Sequence, residues 1–145
     1  MRRTTDDVVA FLEGDDVGGD LGRIDVVVRD ELPGVSRALW RGVFWGGTEQ
    51  AIVGYGDIVQ PRPRGGDVEW FLLGLARQKR HLSLYVNAVE DGVYLTRLYA
   101  ERLGRVRVGA ASIAFARADD LDMDVLGEMV AHAGRGLPEG RSHHE

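Results

Sequence analysis

The segment FLLGLARQKRHLSLYV, residues 71–86, decides the fold class of this 145-residue chain. Its second half alternates between apolar and polar residues, which is typical of a strand with one buried face and one solvated face. The charged tetrapeptide RQKR, residues 77–80, separates this half from an apolar first half. The segment therefore predicts a β-hairpin with strands at residues 69–76 and 81–86.

Apolar spacing and turn residues predict the elements on either side of this hairpin. Helices are predicted at residues 4–15, 20–32, 93–103 and 119–133, and further strands at residues 37–45, 52–58 and 111–116. No strand–helix–strand alternation runs through the middle of the chain. The order therefore predicts an α+β fold, an antiparallel β-sheet with α-helices packed on one face. One domain is expected over residues 1–136, followed by a flexible C-terminal tail at residues 137–145 that lacks a core pattern.

Composition excludes several classes of chemistry. The chain has no cysteine, which excludes disulfides, thiolate zinc sites, iron–sulfur ligation and thiol nucleophiles. No apolar leader follows Met1, and no apolar run approaches the length of a membrane span. These features predict a cytoplasmic protein without a membrane partner. The net charge of −5 argues against nucleic acid as a ligand.

Charge is distributed unevenly along the chain. Nine acidic and four basic residues lie in residues 1–36, seven acidic and twelve basic in residues 37–117, and seven acidic and two basic in residues 118–145. The acidic ends agree with solvated helix faces, and charge patterning of this kind bears on solubility and association rather than on fold. The basic middle segment is the part of the chain that favours an anionic ligand.

Basic residues in predicted loops form the first candidate binding site. Arg62 and Arg64 lie in the PRPRGG loop, and Arg77, Lys79 and Arg80 lie in the hairpin turn. If these loops and the basic residues near position 105 meet at one end of the sheet, they form a patch for phosphates or for an acidic protein partner.

Aromatic residues on predicted strands form a second candidate surface. Because side chains alternate across a strand, Trp40 and Trp45 cannot both point inward if their strand is regular. An exposed Trp on a sheet often marks an interface, so we expect Trp40 or Trp45, together with Tyr85, to contact a protein partner or a second copy of the chain. Core packing is the alternative explanation for these residues.

Four carboxylates crowd the predicted start of the last helix: Asp119, Asp120, Asp122 and Asp124. Carboxylate oxygens are ligands for hard and borderline cations, so the group is a candidate metal site. The same residue type is expected at a helix N-terminus for capping and for interaction with the helix dipole. Both explanations remain open at the level of sequence.

Catalytic patterns are absent from the sequence. No histidine is spaced with a serine nucleophile elbow, and no helix carries a pair of metal-binding histidines. The chain is therefore predicted to bind rather than to catalyse, and a small enzyme acting on an anionic substrate is the weakest of the functions considered.

Four segments resemble the YdhG-like family, also known as domain of unknown function 1801. Residues 71–86 are similar to its strand, "GFaprK" turn and "hisLYl" strand. Residues 103–115, LGRVRVGAASIAF, are similar to its "LGkhktGkscirF" segment, and residues 118–126, ADDLDMDVL, to its "ladvDldvL" helix start. Residues 53–56, VGYG, resemble a subgroup motif, although the aromatic tract that follows it in that subgroup is missing here.

The resemblance implies an α+β fold and leaves the activity open. Most relatives have no assigned activity, and some are described as frataxin-like, meaning iron-binding chaperones for iron–sulfur and haem assembly. Frataxins bind metal through carboxylates on an acidic helix edge and pack a partner on the exposed face of the sheet. By this resemblance, iron is the one cofactor implied, with Asp119, Asp120, Asp122 and Asp124 as its ligands. An iron chaperone is thus the alternative to a partner- or anion-binding module.

Overall fold

The computed structural model describes residues 1–15, 19–43, 49–60 and 66–136. The strands are β1 Arg2–Arg3, β2 Arg37–Val43, β3 Glu49–Gln60, β4 Val68–Arg77, β5 Leu82–Val86, β6 Val89–Glu90, β7 Val93–Tyr94, β8 Arg107–Val108 and β9 Ser112–Phe115. The helices are α1 Val8–Asp15, α2 Asp20–Glu31, α3 Leu95–Leu98 and α4 Met123–Gly134, with a 3₁₀ turn at Ala118–Asp120.

The predicted hairpin forms the centre of the main sheet. β4 and β5 pair antiparallel, with Leu75 opposite Leu84 and Arg77 opposite Leu82. Strands on both sides extend the hairpin into a seven-stranded sheet in the order β1-β2-β3-β4-β5-β9-β8, in which every pairing is antiparallel. β6 and β7 form a separate two-stranded ribbon.

The main hydrophobic core lies between one face of this sheet and the helices. Alternate residues of the central strands, such as Leu75 and Leu84, pack with the apolar stripes of α2 and α4. Ile24 on α2 and Leu126 on α4 are completely buried, and each such side chain contributes about 1.5–3 kcal/mol by leaving water. The predicted fold class, an antiparallel sheet with helices on one face, is confirmed.

The opposite face of the sheet carries a smaller aromatic cluster. Trp40 is 4% exposed, and its ring meets the edges of Trp70 and Phe71 at centroid distances of 5.5 Å. Gly54 and Gly74 lie against these rings. A Cβ at Gly54 would lie 2.6 Å from Trp40 Nε1, and a Cβ at Gly74 would lie 2.4 Å from Phe71 Cε1. The two strand glycines therefore give the rings close access to the backbone.

The helix predicted at residues 93–103 is wrong over most of its length. β6 and β7 form a tight ribbon in which Val89 pairs with Tyr94. Their loop is Asp91-Gly92, with φ angles of 53° and 81°, and an Asp-Gly pair with both φ angles positive is characteristic of a type I′ hairpin turn. Helix remains only in the single turn of α3. The conformation of the Asp-Gly turn therefore determines the local structure, although the apolar residues that follow are spaced as in a helix.

The first helix begins four residues later than predicted. Thr4 N–H donates to Leu39 O at 2.9 Å, so Thr4 continues the edge of the sheet beyond β1. α1 starts at Val8, and Asp7 Oδ1 accepts a hydrogen bond from Ala10 N–H at 3.1 Å. β1 and β8 have no counterpart in the sequence prediction, because a two-residue strand is too short to show alternation.

The last helix is interrupted near its predicted start. Residues 119–133 were expected to form one continuous helix, but the 3₁₀ turn ends at Leu121 in extended backbone. α4 then begins at Met123 with Asp122 as its N-cap, whose carboxylate accepts hydrogen bonds from two backbone N–H groups of the first turn. Leu121 forms an antiparallel bridge with Gly104, which ties this break to the preceding loop.

A buried ion network joins the helix layer to the sheet. Asp25 on α2 is 2% exposed. Both of its oxygens accept hydrogen bonds from Arg37 Nη1 at 2.8 Å, and the carboxylate also accepts from Arg29 Nε at 2.9 Å and from the Tyr55 hydroxyl at 2.6 Å. A carboxylate removed from water needs partners of this kind, since its desolvation is costly. Asp25 therefore fixes α2 against both β2 and β3.

Replacing Asp25 should destabilise the fold strongly. Asp25→Asn is expected to lower the free energy of unfolding by about 3 kcal/mol, because the amide cannot neutralise Arg37 or accept from every donor. Urea unfolding at neutral pH measures this. Asp30→Asn, at an exposed position of the same helix, is the matched control and should change the value by less than about 0.5 kcal/mol. Equal losses in both variants would contradict the role of the network.

Alkaline pH should destabilise the fold through Tyr55. Burial, with the neighbouring Asp25 carboxylate, raises the pKa of Tyr55 well above its ordinary value of 10.0. The unfolded chain therefore loses this proton at a lower pH than the folded chain, and stability that is complete below about pH 9 declines as the pH rises above about 10. Urea unfolding across this range should show a smaller decline for Tyr55→Phe than for wild type. Tyr94→Phe, at a position 37% exposed, should decline as wild type does, and identical slopes for Tyr55→Phe and wild type would refute the assignment.

Candidate functional site

The turn between β4 and β5 presents basic side chains at one end of the sheet. Gln78 N–H donates to His81 O at 2.8 Å and closes the turn, so Lys79 and Arg80 occupy its exposed tip. A cleft of about 690 Å³ opens beside the turn. Its lining residues are Phe11, Glu49, Gln50, Ala51, Arg77, Gln78, Lys79, Arg80, His81 and Arg107. The turn residues Arg77, Lys79 and Arg80 thus line one cleft together with Arg107.

A second cleft adjoins the first. It has a volume of about 370 Å³ and is lined by Arg80, His81, Arg105, Val106, Arg107, Ala114, Phe115, Ala116 and Asp120. The basic residues Arg80, His81 and Arg107 line both clefts. The two clefts therefore form one continuous basic surface, which we call the basic groove.

Four cations of the basic groove have no ion-pair partner among the described residues. Lys79, Arg80, Arg105 and Arg107 pair with no acidic residue in the part of the chain that the structure describes. Several arginines elsewhere are paired, for example Arg41 with Asp6 at 2.8 Å and Arg102 with Glu128 at 2.5 Å. Clustered, unpaired cations create a positive potential that attracts anions.

Two carboxylates lie near the groove but leave its charge positive. Glu49 lines the first cleft at an exposed position. Asp120 lines the second, where its Oδ2 accepts hydrogen bonds from the backbone N–H groups of Ala116 at 3.2 Å and Arg117 at 3.3 Å. Because its carboxylate is held by backbone donors, Asp120 is not paired with Arg105 or any other cation of the groove.

A hydrogen-bond network fixes the base of the turn. Gln78 Nε2 donates to Gln50 Oε1 at 3.0 Å and to the Tyr85 hydroxyl at 2.8 Å, and Ser83 Oγ donates to Gln78 Oε1 at 2.5 Å. Every donor and acceptor of the Gln78 amide group is used except one oxygen lone pair. The sequence did not identify Gln78 and Gln50 as site residues, because an uncharged amide forms no recognisable motif until strand pairing brings the two side chains together. The predicted binding residue Tyr85 supports the turn through this network.

Tyr85 also lines a third cleft on the open face of the sheet, which is the face opposite the helices. This cleft has a volume of about 490 Å³, and its lining residues are all uncharged: Gln60, Trp70, Tyr85, Asn87, Tyr94, Ala110, Ala111 and Ser112. It lacks the cations that distinguish the basic groove. The open face of the sheet thus carries aromatic and amide groups at a site separate from the charged one.

The structure does not support the predicted exposure of Trp40. Its indole is buried in the aromatic cluster, because the glycines of β3 and β4 let neighbouring rings close over the sheet. Trp40 therefore has little surface with which to contact a partner. Trp45, Arg62 and Arg64, the other predicted binding residues in loops, lie outside the described residues.

Three of the four aspartates near α4 engage separate partners through their carboxylates, and Asp124 is exposed in the first turn of the helix. Asp119 Oδ1 accepts from Arg23 Nη1 at 2.7 Å, and this hydrogen bond and charge lower the pKa of Asp119. Asp122 caps α4, accepting from the N–H groups of Asp124 at 3.1 Å and Val125 at 3.2 Å.

The aspartates do not converge as a metal site would require. Asp119, Asp120 and Asp122 line a cleft that they share with Arg105 and Arg117, and these arginines would compete with a cation. Within the described ranges, no three His, Cys, Asp or Glu side chains are arranged to hold a metal ion. Their positions follow from capping and ion pairing, the alternative that the sequence left open.

One histidine joins a carboxylate and a phenol. His132 Nδ1 lies 2.8 Å from the Tyr99 hydroxyl, and His132 Nε2 contacts Glu90 Oε1. Glu90 belongs to β6 and His132 to α4, so the contact attaches the β6–β7 ribbon to the last helix. The sequence analysis did not find this group, because its members are far apart in the chain.

Removing the Asp122 cap should destabilise α4 in a way that a metal-ligand role does not predict. Asp122→Ala is expected to lower the free energy of unfolding by about 1 kcal/mol, since two N–H groups lose their acceptor. Asp122→Asn is the control, because Asn caps helices about as well as Asp, and it should lose less than about half as much. Urea unfolding in the presence of a chelator measures both values. Equal losses would contradict the capping role.

Comparison with known proteins adds no relative. No protein-family model, no curated protein and no solved structure matches the chain. Among the described residues, no helix is long and apolar enough to cross a membrane. The similarity to the YdhG-like family therefore rests on the sequence motifs alone.

Proposed function

We propose that this protein is a non-enzymatic binding module that holds an anionic ligand, or an acidic segment of a protein partner, in the basic groove. The supporting observation is the convergence of Lys79, Arg80, Arg105 and Arg107 without acidic partners among the described residues. A cluster of cations that repel one another is stabilised by any anion placed between them. Glu49 and Asp120 line the clefts, but within the described residues neither forms an ion pair with any of these four cations.

The backbone that carries these cations is well ordered by hydrogen bonds. The turn closes through Gln78 and His81, and its base is held by the amide network described above. On the other side, Arg105 N–H donates to Asp120 O at 2.8 Å, and Arg107 pairs with Ala114 across β8 and β9. A preformed site loses less entropy when a ligand binds.

The size and setting of the groove favour a small ligand or a short acidic segment. The larger cleft, at about 690 Å³, is within the range of about 300–1,000 Å³ typical of small-molecule sites. Phe11 and Ala51 give it an apolar wall. The chain as a whole has a net charge of −5, and this charge would repel a long polyanion such as nucleic acid.

The family and the location belong to the same proposal. Four YdhG-like motifs in order, together with an antiparallel sheet covered by helices, support membership of that family. The absence of cysteine supports a cytoplasmic location. The iron-chaperone alternative remains a prediction, and the separate engagement of Asp119, Asp120 and Asp122 gives it no support.

Titration calorimetry with inorganic phosphate at low ionic strength tests the proposal. Wild type is expected to bind saturably, and Arg80→Ala or Arg107→Ala should each weaken binding by at least about tenfold, because each removes charge-assisted hydrogen bonds. Added salt should weaken binding further.

Arg97→Ala provides the matched control for these variants. Arg97 is an exposed residue of α3 outside both clefts, so its loss changes the net charge equally and should alter the affinity by less than about twofold. The absence of saturable phosphate binding, or an equal loss in Arg97→Ala, would refute the proposal.

A further inference from the structure

We infer that the ligand of the basic groove carries two linked phosphoryl groups, one in each cleft, with Arg80, His81 and Arg107 between them. This inference rests on the proposed function and specifies its ligand. It follows from the way in which the cations are divided between the clefts, and not from their number alone.

Each cleft has cations of its own on either side of a shared wall. Of these two clefts, Lys79 lines only the 690 Å³ one and Arg105 only the 370 Å³ one; Arg105 also borders the cleft of Asp119 and Asp122. A single anionic group in the first cleft would not contact Arg105. A ligand with two such groups engages the cations of both clefts at once.

The shared residues can serve both groups. A guanidinium presents five N–H donors in a planar fork, so Arg80 and Arg107 can each donate to oxygens on two sides. Phosphoryl oxygens are numerous and match this fork. A wall of two arginines and a histidine between adjacent anion sites therefore suits the bridge between two phosphoryl groups.

The backbone supporting the second cleft is held in place before any ligand binds. Gly104, with φ of 112°, precedes Arg105, and a Cβ at this position would lie 2.2 Å from Asp120 O. Arg105 N–H then donates to the same Asp120 oxygen at 2.8 Å. Only glycine permits this close approach, which directs the chain carrying Arg105 along the second cleft.

The two clefts differ in what surrounds the cations. The larger one contains the ring of Phe11 and the methyl group of Ala51, and the smaller one contains Val106, Phe115 and the Asp120 carboxylate, which backbone N–H groups hold. By its volume of about 370 Å³, the smaller cleft suits a terminal phosphoryl group. The larger one has room for a second phosphoryl group and for the organic part of the ligand.

Calorimetry with inorganic phosphate, pyrophosphate and malonate tests the inference. Wild type should bind pyrophosphate at least about tenfold more tightly than phosphate, because a second set of charge-assisted hydrogen bonds forms. Arg105→Ala should abolish most of this gain, because of the two clefts Arg105 lines only the smaller one, and Lys79→Ala should weaken both ligands by more than about threefold. Arg97→Ala should leave both unchanged. Malonate, with two linked carboxylates, should bind more weakly than pyrophosphate.

The possible failures are distinguishable. Saturable phosphate binding without a gain for pyrophosphate, or a gain that survives in Arg105→Ala, would overturn the two-group ligand and leave the proposed function standing. Tighter binding of malonate than of pyrophosphate would overturn the assignment of phosphoryl groups. Absence of binding by all three anions would refute both the inference and the proposed function. Thermal denaturation of each variant without ligand confirms that it is folded.

Discussion

The buried carboxylate of Asp25 is the interaction on which the arrangement of the layers depends. Hydrophobic contact presses α2 onto the sheet but is not directional. Asp25 fixes the orientation of α2 on the sheet, because its oxygens must lie at hydrogen-bonding distance from Arg37 on β2 and Tyr55 on β3. A one-residue shift of either strand would turn these side chains to the other face and leave a buried charge without partners. The network therefore specifies both the packing of the helix and the register of the strands.

The central strands are buried on both faces, although only one face meets helices in the described residues. Strand residues such as Leu75 contribute to the main core, and Phe71 and Ala76 on the same strand contribute to the aromatic cluster. This explains why β4 reads as a nearly continuous apolar run, whereas an antiparallel strand with one solvated face would alternate. Gly74 is the exception within the run, and the ring of Phe71 occupies the space above it.

The structure explains why acidic and basic residues occupy different segments of the chain. The acidic terminal segments supply caps and ion-pair partners, such as Asp7 before α1, Asp25 on α2 and Asp122 at the N-cap of α4. The basic middle segment supplies the turn and the strand that form the basic groove. A net negative charge on the chain, combined with a basic groove, would limit nonspecific attraction of polyanions while leaving a local site for a small anion. The third cleft, uncharged and aromatic, is chemically distinct from that site.

Local sequence predicted the elements whose pattern of side chains depends only on residues nearby in the chain. Alternation in residues 81–86 predicted β5, and the apolar stripe ending at Ala133 predicted most of α4, because the side-chain period of a strand or helix is set by the backbone alone. The same reasoning failed at residues 93–103, where the Asp91-Gly92 turn competed with helical spacing. The basic residues of the turn could also be selected from sequence, since charged residues at a turn must face solvent.

Tertiary structure decided which of these side chains meet. Arg105 and Arg107 join the turn residues Lys79 and Arg80 because β5 and β8 both pair with β9 in the sheet, a contact between distant segments that no local pattern encodes. Burial of Trp40 likewise required Gly54 of β3 to leave room for its indole and Phe71 of β4 to pack beside it. The sequence alone thus determined most of the longer elements, whereas the tertiary structure placed the cations together and gave Asp119, Asp120 and Asp122 separate partners. The physical reason is that side-chain periodicity is a property of a few neighbouring residues. The free energies of burial and of charge–charge interaction depend instead on which residues the fold brings into contact.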